Sequence, residues 1–334
     1  MAESVIESET EQEATGRDLS LIRRPFAASR PGHLPHFGLP VLCVLLLMLV
    51  VPAKAQMSIP DANLVVNQPV VNMYRDATTA SDVVSQAIYG TGVLSLKQQP
   101  GWYEIRTDDG YTGWVKAAAV KAEGIDPYAP NGEAIRISAL SANVYQEPDV
   151  TKHAPVLRLP WEARIETVPG HTTSSGRWIE VKLADGDTAW VQSGDVSSDF
   201  APVSIPQMLT LARRFMGITY TWGGVSSFGF DCSGFTQMLE RQRGIEMPRD
   251  ADLQADWSGV VPVKRADLQP GDLLYFGSSL KKITHTGMYI GDGKFIHDTT
   301  HDHPGVQVST LDDMPWTKLL VAARRVKPQP EGSR

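Results

Sequence analysis

Cysteine is nearly missing from this chain, with two residues among 334. That excludes a disulfide-stapled scaffold and the paired Cys-x-x-Cys spacings of structural zinc sites. An excess of positive charge is missing too. Lys and Arg number 31 against 38 Asp and Glu, for a net charge of −7 with no long basic run, so nucleic acid is not an expected partner. Nor is there a long apolar run. Val41 to Val51 is uninterrupted for eleven residues, short of the roughly 20 that a membrane-spanning helix needs. What remains is 42% hydrophobic and 21% charged, a composition with room for two or three domains.

The short apolar run carries a message of its own. It is followed by Pro52-Ala53-Lys54-Ala55-Gln56 and preceded by Arg23, Arg24 and Arg30. An apolar core, upstream positive charge and an Ala-x-Ala cleavage site spell a secretory signal. Residues 1–55 therefore read as an N-terminal tail and signal peptide, with export to the periplasm or cell envelope and no stable membrane span after processing. A retained anchor is the alternative. Cys43 lies inside the segment that export removes, leaving Cys232 as the one thiol of the mature chain. A lone cysteine in an oxidising compartment has no partner in its own chain, which makes it a candidate nucleophile; the bland alternative is a buried core residue.

The surroundings of Cys232 favour chemistry. Tyr220 to Gly234 is rich in glycine and aromatics, and Phe235, Met238 and Leu239 then recur at helical spacing up to Gly244. Cys232 thus falls at a helix start, where unpaired N–H groups and the helix dipole favour thiolate. Gly223, Gly224, Gly229 and Gly234 are expected to let a bound chain approach the backbone.

Upstream, the chain repeats itself. Trp102-Tyr-Glu-Ile-Arg-Thr-Asp-Asp-Gly-Tyr-Thr-Gly-Trp114-Val matches Trp178-Ile-Glu-Val-Lys-Leu-Ala-Asp-Gly-Asp-Thr-Ala-Trp190-Val at an offset of 76, and Asn72-Met-Tyr74 matches Asn143-Val-Tyr145 at 71. The difference falls near His171–Gly176, where an insertion is tolerated. Short alternating runs between Asp-Gly and Pro-Gly turns predict two small antiparallel barrels, at 61–123 and 133–199. Trp102, Trp114, Trp178 and Trp190 read as core. Both copies resemble bacterial SH3 (SH3b) domains, which implies wall-binding or site-shaping modules.

Residues 205–328 read as a third, α+β domain. Ser204 and Pro206 open a helix with Met208, Leu209, Ala212, Phe215 and Met216 as its stripe, closed by Gly217. Asp272–Phe276, Thr286–Ile290, Lys294–Thr299 and Leu319–Val326 read as strands. Four of the eight histidines, His285, His297, His301 and His303, fall here. A two-residue Asp292-Gly293 turn would put His285 and His297 on opposite faces. A three-residue Gly291-Asp292-Gly293 turn pairs Ile290 with Lys294, sets His297 opposite Gly287 and puts both rings on one face. The second register is expected because it assembles one site. Cys232 is then nucleophile, His285 base and acid, and His297 its orienter, with the Cys232 amide and the Tyr220 hydroxyl stabilising an oxyanion.

Asp231-Cys-Ser-Gly-Phe235, His285-Thr-Gly-Met-Tyr-Ile-Gly-Asp-Gly-Lys-Phe-Ile-His297, Tyr220-x-Trp-Gly-Gly224 and Gln269-Pro-Gly-Asp-Leu273 occur in order. Together they resemble the NlpC/P60 family of papain-like cysteine peptidases. The resemblance implies cleavage of peptidoglycan stem peptides or murein fragments between γ-D-glutamate and a diamino acid, without a cofactor. Two SH3b modules ahead of such a domain are similar to the subset that requires a free N-terminal L-alanine. In that subset the matching positions that hold the peptide are Asp231, Tyr111 and Asp76, with Ser233 as a further contact. Ala251, where many relatives have serine, removes one expected hydrogen bond. Competing readings are a metal site among His297, Asp298, His301, Asp302 and His303, a non-catalytic wall-binding protein, and an amidase or acyltransferase using the same three residues.

Overall fold

The computed structural model describes residues 63–123, 128, 134–172 and 175–328. The signal-peptide reading and Cys43 lie outside these residues. Among the described residues no helix is long and apolar enough to cross a membrane.

The two repeats fold alike. The first comprises β1 (Leu64–Val66), β2 (Val70–Tyr74), β3 (Val83–Ile88), β4 (Gly92–Gln99), β5 (Trp102–Arg106), β6 (Thr112–Lys116) and β7 (Val120–Ala122). The second comprises β8 (Ala134–Ile137), β9 (Ser141–Tyr145), β10 (Leu157–Pro160), β11 (Arg164–Thr172), β12 (Trp178–Lys182), β13 (Thr188–Gln192) and β14 (Val196–Ser197). Their strand orders, β3-β2-β6-β5-β4-β1-β7 and β10-β9-β13-β12-β11-β8-β14, are the same order once renumbered. Alternating residues such as Val71, Met73, Ile105 and Val115 fill the first interior, and Val144, Ile165, Val181 and Val191 the second. The extra residues of the second copy are absorbed as a bulge in β11, where pairing jumps from Thr167↔Val181 to Thr172↔Ile179. Trp114 and Trp178 are buried as core, whereas Trp102 and Trp190 are half-buried. Equivalent edge-to-face pairs, Tyr74–Trp102 at 5.7 Å and Tyr145–Trp178 at 5.5 Å, mark the repeat in three dimensions.

The third domain packs α1 (Ile205–Arg214) and α2 (Cys232–Gln242) with a six-stranded antiparallel sheet, and the hairpin β15 (Val225–Ser226)–β16 (Gly229–Phe230) leads into α2. Beyond α2 come α3 (Ala251–Asp256), β17 (Val260–Pro262), β18 (Leu273–Ser279), β19 (Lys282–Gly291), β20 (Lys294–Thr299), β21 (Gly305–Thr310), α4 (Trp316–Leu319) and β22 (Leu320–Val326). The sheet order is β17-β22-β18-β19-β20-β21. Ser204 caps α1 through a capping box with Gln207. Met208, Ala212 and Phe215 of the expected stripe are fully buried, but Met216 is 47% exposed because the helix has already ended at Phe215.

Neither module stands apart from the third domain. Ile88 of the first and Trp161 of the second belong to the core that holds Phe215, Phe235 and Met238. Arg249 Nε donates to Ser85 Oγ of the first module at 3.2 Å, and Gln237 Nε2 to Asp109 Oδ2 at 2.9 Å. The second module meets the far end of α2, where Arg136 donates to Gln242 at 2.8 Å. The first module therefore stands over the start of α2 and the second over its end.

The modules also lock to each other. Tyr89 plugs into the core of the second, and its hydroxyl accepts from the Ala184 amide at 2.7 Å. Next to it Gly90, at φ +77, has room for no side chain: an added Cβ would lie 2.1 Å from the Arg164 carbonyl oxygen. Gly101 has a similar φ of +80 with nothing within 4 Å. Gly101→Ala should therefore lose about 1 kcal/mol, from backbone conformation alone, and Gly90→Ala at least about 2 kcal/mol more, in line with overpacking costs. Urea denaturation of the two variants checks this; equal losses would mean the module contact is not tight.

Candidate active site

The loop before α2 folds by turning its polar groups inward. Asp231 caps the helix, Oδ1 accepting from the Gly234 amide at 2.7 Å. Its Oδ2 accepts from the Gly223 amide at 2.9 Å. Arg249, 2% exposed, lays its guanidinium across the same carboxylate at 2.9 and 2.6 Å. Arg249 also donates to Ser233 Oγ at 2.9 Å. The expected roles of Asp231 and Ser233 change accordingly. Four N–H donors saturate the Asp231 oxygens, and the Ser233 hydroxyl is engaged by Arg249 and Asp231. The glycines of this loop serve the protein's own packing: added Cβ atoms at Gly224 and Gly234 would meet the Gly229 and Gly224 carbonyls at 2.3 and 2.1 Å.

The strand register answers the question left by the sequence, and splits it. Gly291 pairs with Lys294 across a two-residue turn, with Asp292 at φ 53 and Gly293 at φ 70, so the three-residue turn is not what forms. A shift between Tyr289 and Gly291 then moves the pairing by one, to Tyr289↔Phe295 and Met288↔Ile296. That bulge restores the arrangement the longer turn was expected to give. Gly287 faces His297, whose Cβ would stand 2.9 Å from an added Gly287 Cβ, and His285 Nε2 lies 2.8 Å from His297 Nδ1.

The β19–β20 ladder stops at Met288↔Ile296, although β20 stays paired with β21 to Thr299↔Gly305. Into this opening comes the start of α2. The Thr286 amide acts on the Cys232 sulfur strongly enough to lower its pKa, which sets the thiol near the strand that carries His285. Tyr220 stands close enough that burial first, and then any ionisation of Cys232, holds its phenol protonated. As the first residue of α2, Cys232 keeps an amide with no intrahelical acceptor. His297 Nε2 lies 2.9 Å from Ser309 Oγ, so the imidazoles form a chain ending in a hydroxyl. Trp316 walls it, 5.2 Å from the His285 ring and 4.8 Å from His297.

Electrostatics depart from the expected thiolate. Burial, then the Asp231 charge, pushes the Cys232 thiol up to about 12, against the lowering effect of the Thr286 and Ser233 amides and Arg249. Burial pushes His285 down to about 3 and His297 well below its ordinary value. The resting groups are a neutral thiol and neutral imidazoles.

Tyr111 stands apart from Asp231, its hydroxyl donating to Asp250 at 3.0 Å; both residues are half-buried, and burial followed by Asp250 pushes the phenol up to about 12. Asp76 lies in the exposed β2–β3 turn, its carboxylate bonded to Ser81 at 2.9 Å. It is not drawn to the thiol by any hydrogen bond. Among the described residues no three His, Cys, Asp or Glu side chains gather as a metal would require; His297 and Asp298, as strand neighbours, point to opposite faces.

Sequence reasoning missed Ser309, on an unread strand, and Trp316. It also passed over Arg249 and Asp250, the two residues before Ala251. The adjacent Arg249-Asp250 pair between Pro248 and Ala251 was the available signal.

A neutral thiol at a helix start, a histidine on an adjoining strand and a second histidine behind it define a thiol hydrolase. The NlpC/P60 family model matches residues 217–325 and the bacterial SH3 domain model 69–121. A γ-D-glutamyl-L-lysine dipeptidyl-peptidase of Bacillus subtilis is 30% identical over 74% of this chain and 82% of its own; one from Bacillus cereus is 29% identical over 75% and 77%. A solved NlpC/P60 family protein from Bacillus cereus shares the fold, with TM-score 0.68 at 23% identity over 80% of this chain and 100% of its own. The chain belongs to the NlpC/P60 family and is a cysteine peptidase.

Two substitutions probe the buried charges. Arg249→Ala should cost about 3–5 kcal/mol in denaturant unfolding by leaving Asp231 buried and unpaired, and Arg249→Lys should recover little because it lacks the two-pronged fork. Asp298 is 0% exposed, and neither carboxylate oxygen has a partner at hydrogen-bonding distance and angle, the Thr299 and Phe230 amides lying near it but outside that geometry. Burial, then the Asp231 charge, pushes it from 3.8 up to about 8, offset in part by the Thr299 and Phe230 amides. The unfolded chain ionises this group near 3.8 while the fold keeps its proton, so stability drains away between pH 4 and 8. Asp298→Asn should melt like wild type near pH 3.5 and higher by about 10 °C or more at pH 8, since a rise from 3.8 to about 8 is worth roughly 5 kcal/mol at roughly 2–4 °C per kcal/mol; a gap independent of pH would contradict this.

Proposed function

We propose that the protein is an exported cysteine endopeptidase that cuts the bond between γ-D-glutamate and the diamino acid of peptidoglycan stem peptides bearing a free N-terminal L-alanine. The observation that supports this reading is the His285–His297–Ser309 chain, together with the Thr286 amide, next in sequence to His285, lowering the pKa of the Cys232 thiol at the start of α2. The names of the two Bacillus relatives support the substrate class. On this reading both seven-stranded modules are SH3b barrels and the third domain has a papain-like α+β fold, with domains at 61–123, 133–199 and 205–328.

The chain of rings sets the tautomers. With the His297 Nε2 proton on Ser309, His297 Nδ1 accepts from His285 Nε2–H, which leaves the His285 Nδ1 lone pair as the base. As the Cys232 sulfur attacks the γ-carbonyl carbon, His285 takes its proton and the carbonyl oxygen becomes an oxyanion. The Cys232 amide and the Tyr220 hydroxyl hold that charge. The imidazolium, steadied by His297, returns the proton to the departing amine as the C–N bond breaks, leaving a thioester. Water, deprotonated by His285, then hydrolyses the thioester and restores the thiol.

Recognition of the free amine falls to Asp250 and Tyr111 in place of Asp231. An ammonium needs a carboxylate with acceptor capacity and solvent access; Asp250 is half-buried and bonded to one phenol, while Asp231 is sealed and saturated.

L-Ala-γ-D-Glu-diaminopimelate and its N-acetylated form, incubated with enzyme and resolved by mass spectrometry, test the proposal. Release of L-Ala-D-Glu from the free-amine form alone is expected. Cys232→Ala should end turnover with little change in Tm, and Asp250→Asn should narrow the preference for the free amine about tenfold or more. Equal cutting of both forms would remove the amine-recognition role, and cutting of neither would overturn the activity.

A further inference from the structure

The β20–β21 connection, residues 300–304, lies beside the base yet takes no part in the steps above. It is a built loop. Gln307 Nε2 donates to both the His301 and His303 carbonyls, at 2.8 and 2.7 Å, and the His301 amide donates to Thr299 Oγ1 at 3.1 Å. Asp302 turns the chain at φ 59. The outcome is a fixed pair: His301 Nδ1 stands 3.0 Å from Asp302 Oδ2, with the two side chains 39% and 67% exposed.

This pair is on the departing side of the thiol. On the peptidase reading the acyl half of the substrate extends towards Asp250 and the Tyr111 of the first module that bonds it. The departing amine must lie against His285, which protonates it. Trp316 bridges from His285 at 5.2 Å to His301 at 5.4 Å, and the charge of His301 bears on both His285 and His297. An exposed imidazole and an exposed carboxylate, held side by side one tryptophan away from the base, match a ligand group carrying an anion and a cation on neighbouring atoms. Among diamino acids, diaminopimelate ends its side chain in such an amino-acid group; lysine ends in an ammonium alone. His301 Nε2 would meet the carboxylate, and Asp302 the ammonium.

We propose that the His301–Asp302 pair reads the far end of the departing diamino acid and selects diaminopimelate over lysine. This rests on the peptidase reading above. The test compares kcat/KM on L-Ala-γ-D-Glu-meso-diaminopimelate and L-Ala-γ-D-Glu-L-lysine for wild type, His301→Ala and Asp302→Asn. Wild type should prefer the diaminopimelate substrate at least tenfold, and each variant should bring the ratio down about tenfold, chiefly through KM on that substrate. A wild-type ratio near one, or variants that lower both substrates in parallel, would overturn the proposal while leaving the peptidase reading intact. Failure of wild type to cut either substrate would take both down.

Discussion

The buried pair between Asp231 and Arg249 holds the site together. One carboxylate caps α2, ties down the Gly223 amide and neutralises a guanidinium that reaches Ser85 in the first module. A charge sealed at 6% exposure is tolerable only when every acceptor position is filled. Because four donors come from three segments, the loop, the helix start and the Arg249 strand of chain must be placed together. The thiol is attached to the next residue, so its position follows.

That arrangement explains why two copies of one seven-stranded module have unlike roles. The first copy contributes Ser85, Asp109 and Tyr111 to the start of α2 or its approaches. The second contributes Trp161 to the shared core and Arg136 to the end of the helix. The second fixes the first in place through Tyr89 and Gly90.

The helix start does not make a thiolate of Cys232. A helix terminus contributes about 0.3–1 kcal/mol, up to about 2 in partly buried geometry, whereas raising the thiol from 9.0 to about 12 corresponds to on the order of 4 kcal/mol. Burial, with the neighbouring Asp231 charge, wins. On the proposed mechanism, proton transfer accompanies attack and the helix start serves to aim an amide at the oxyanion. The buried imidazoles, stacked against Trp316, Phe276 and Phe295, stay neutral for the same reason.

Local pattern determined a good deal by itself. The internal repeat, the α2 start at Cys232, the capping of α1 and four strands of the third domain were legible because periodicity and capping are short-range properties. So was the closeness of His285 and His297. The partners of Asp231, Ser233 and Tyr111 were not, since they come from Arg249 and Asp250, up to 139 residues away in sequence. Nor was the hairpin: a two-residue turn and a bulge at Ile290 reproduce the pairing of a three-residue turn, and the choice depends on how β19 packs against α2 and β18. Short-range chemistry names the groups that can react; long-range packing decides which of them still have a free lone pair or an unfilled acceptor.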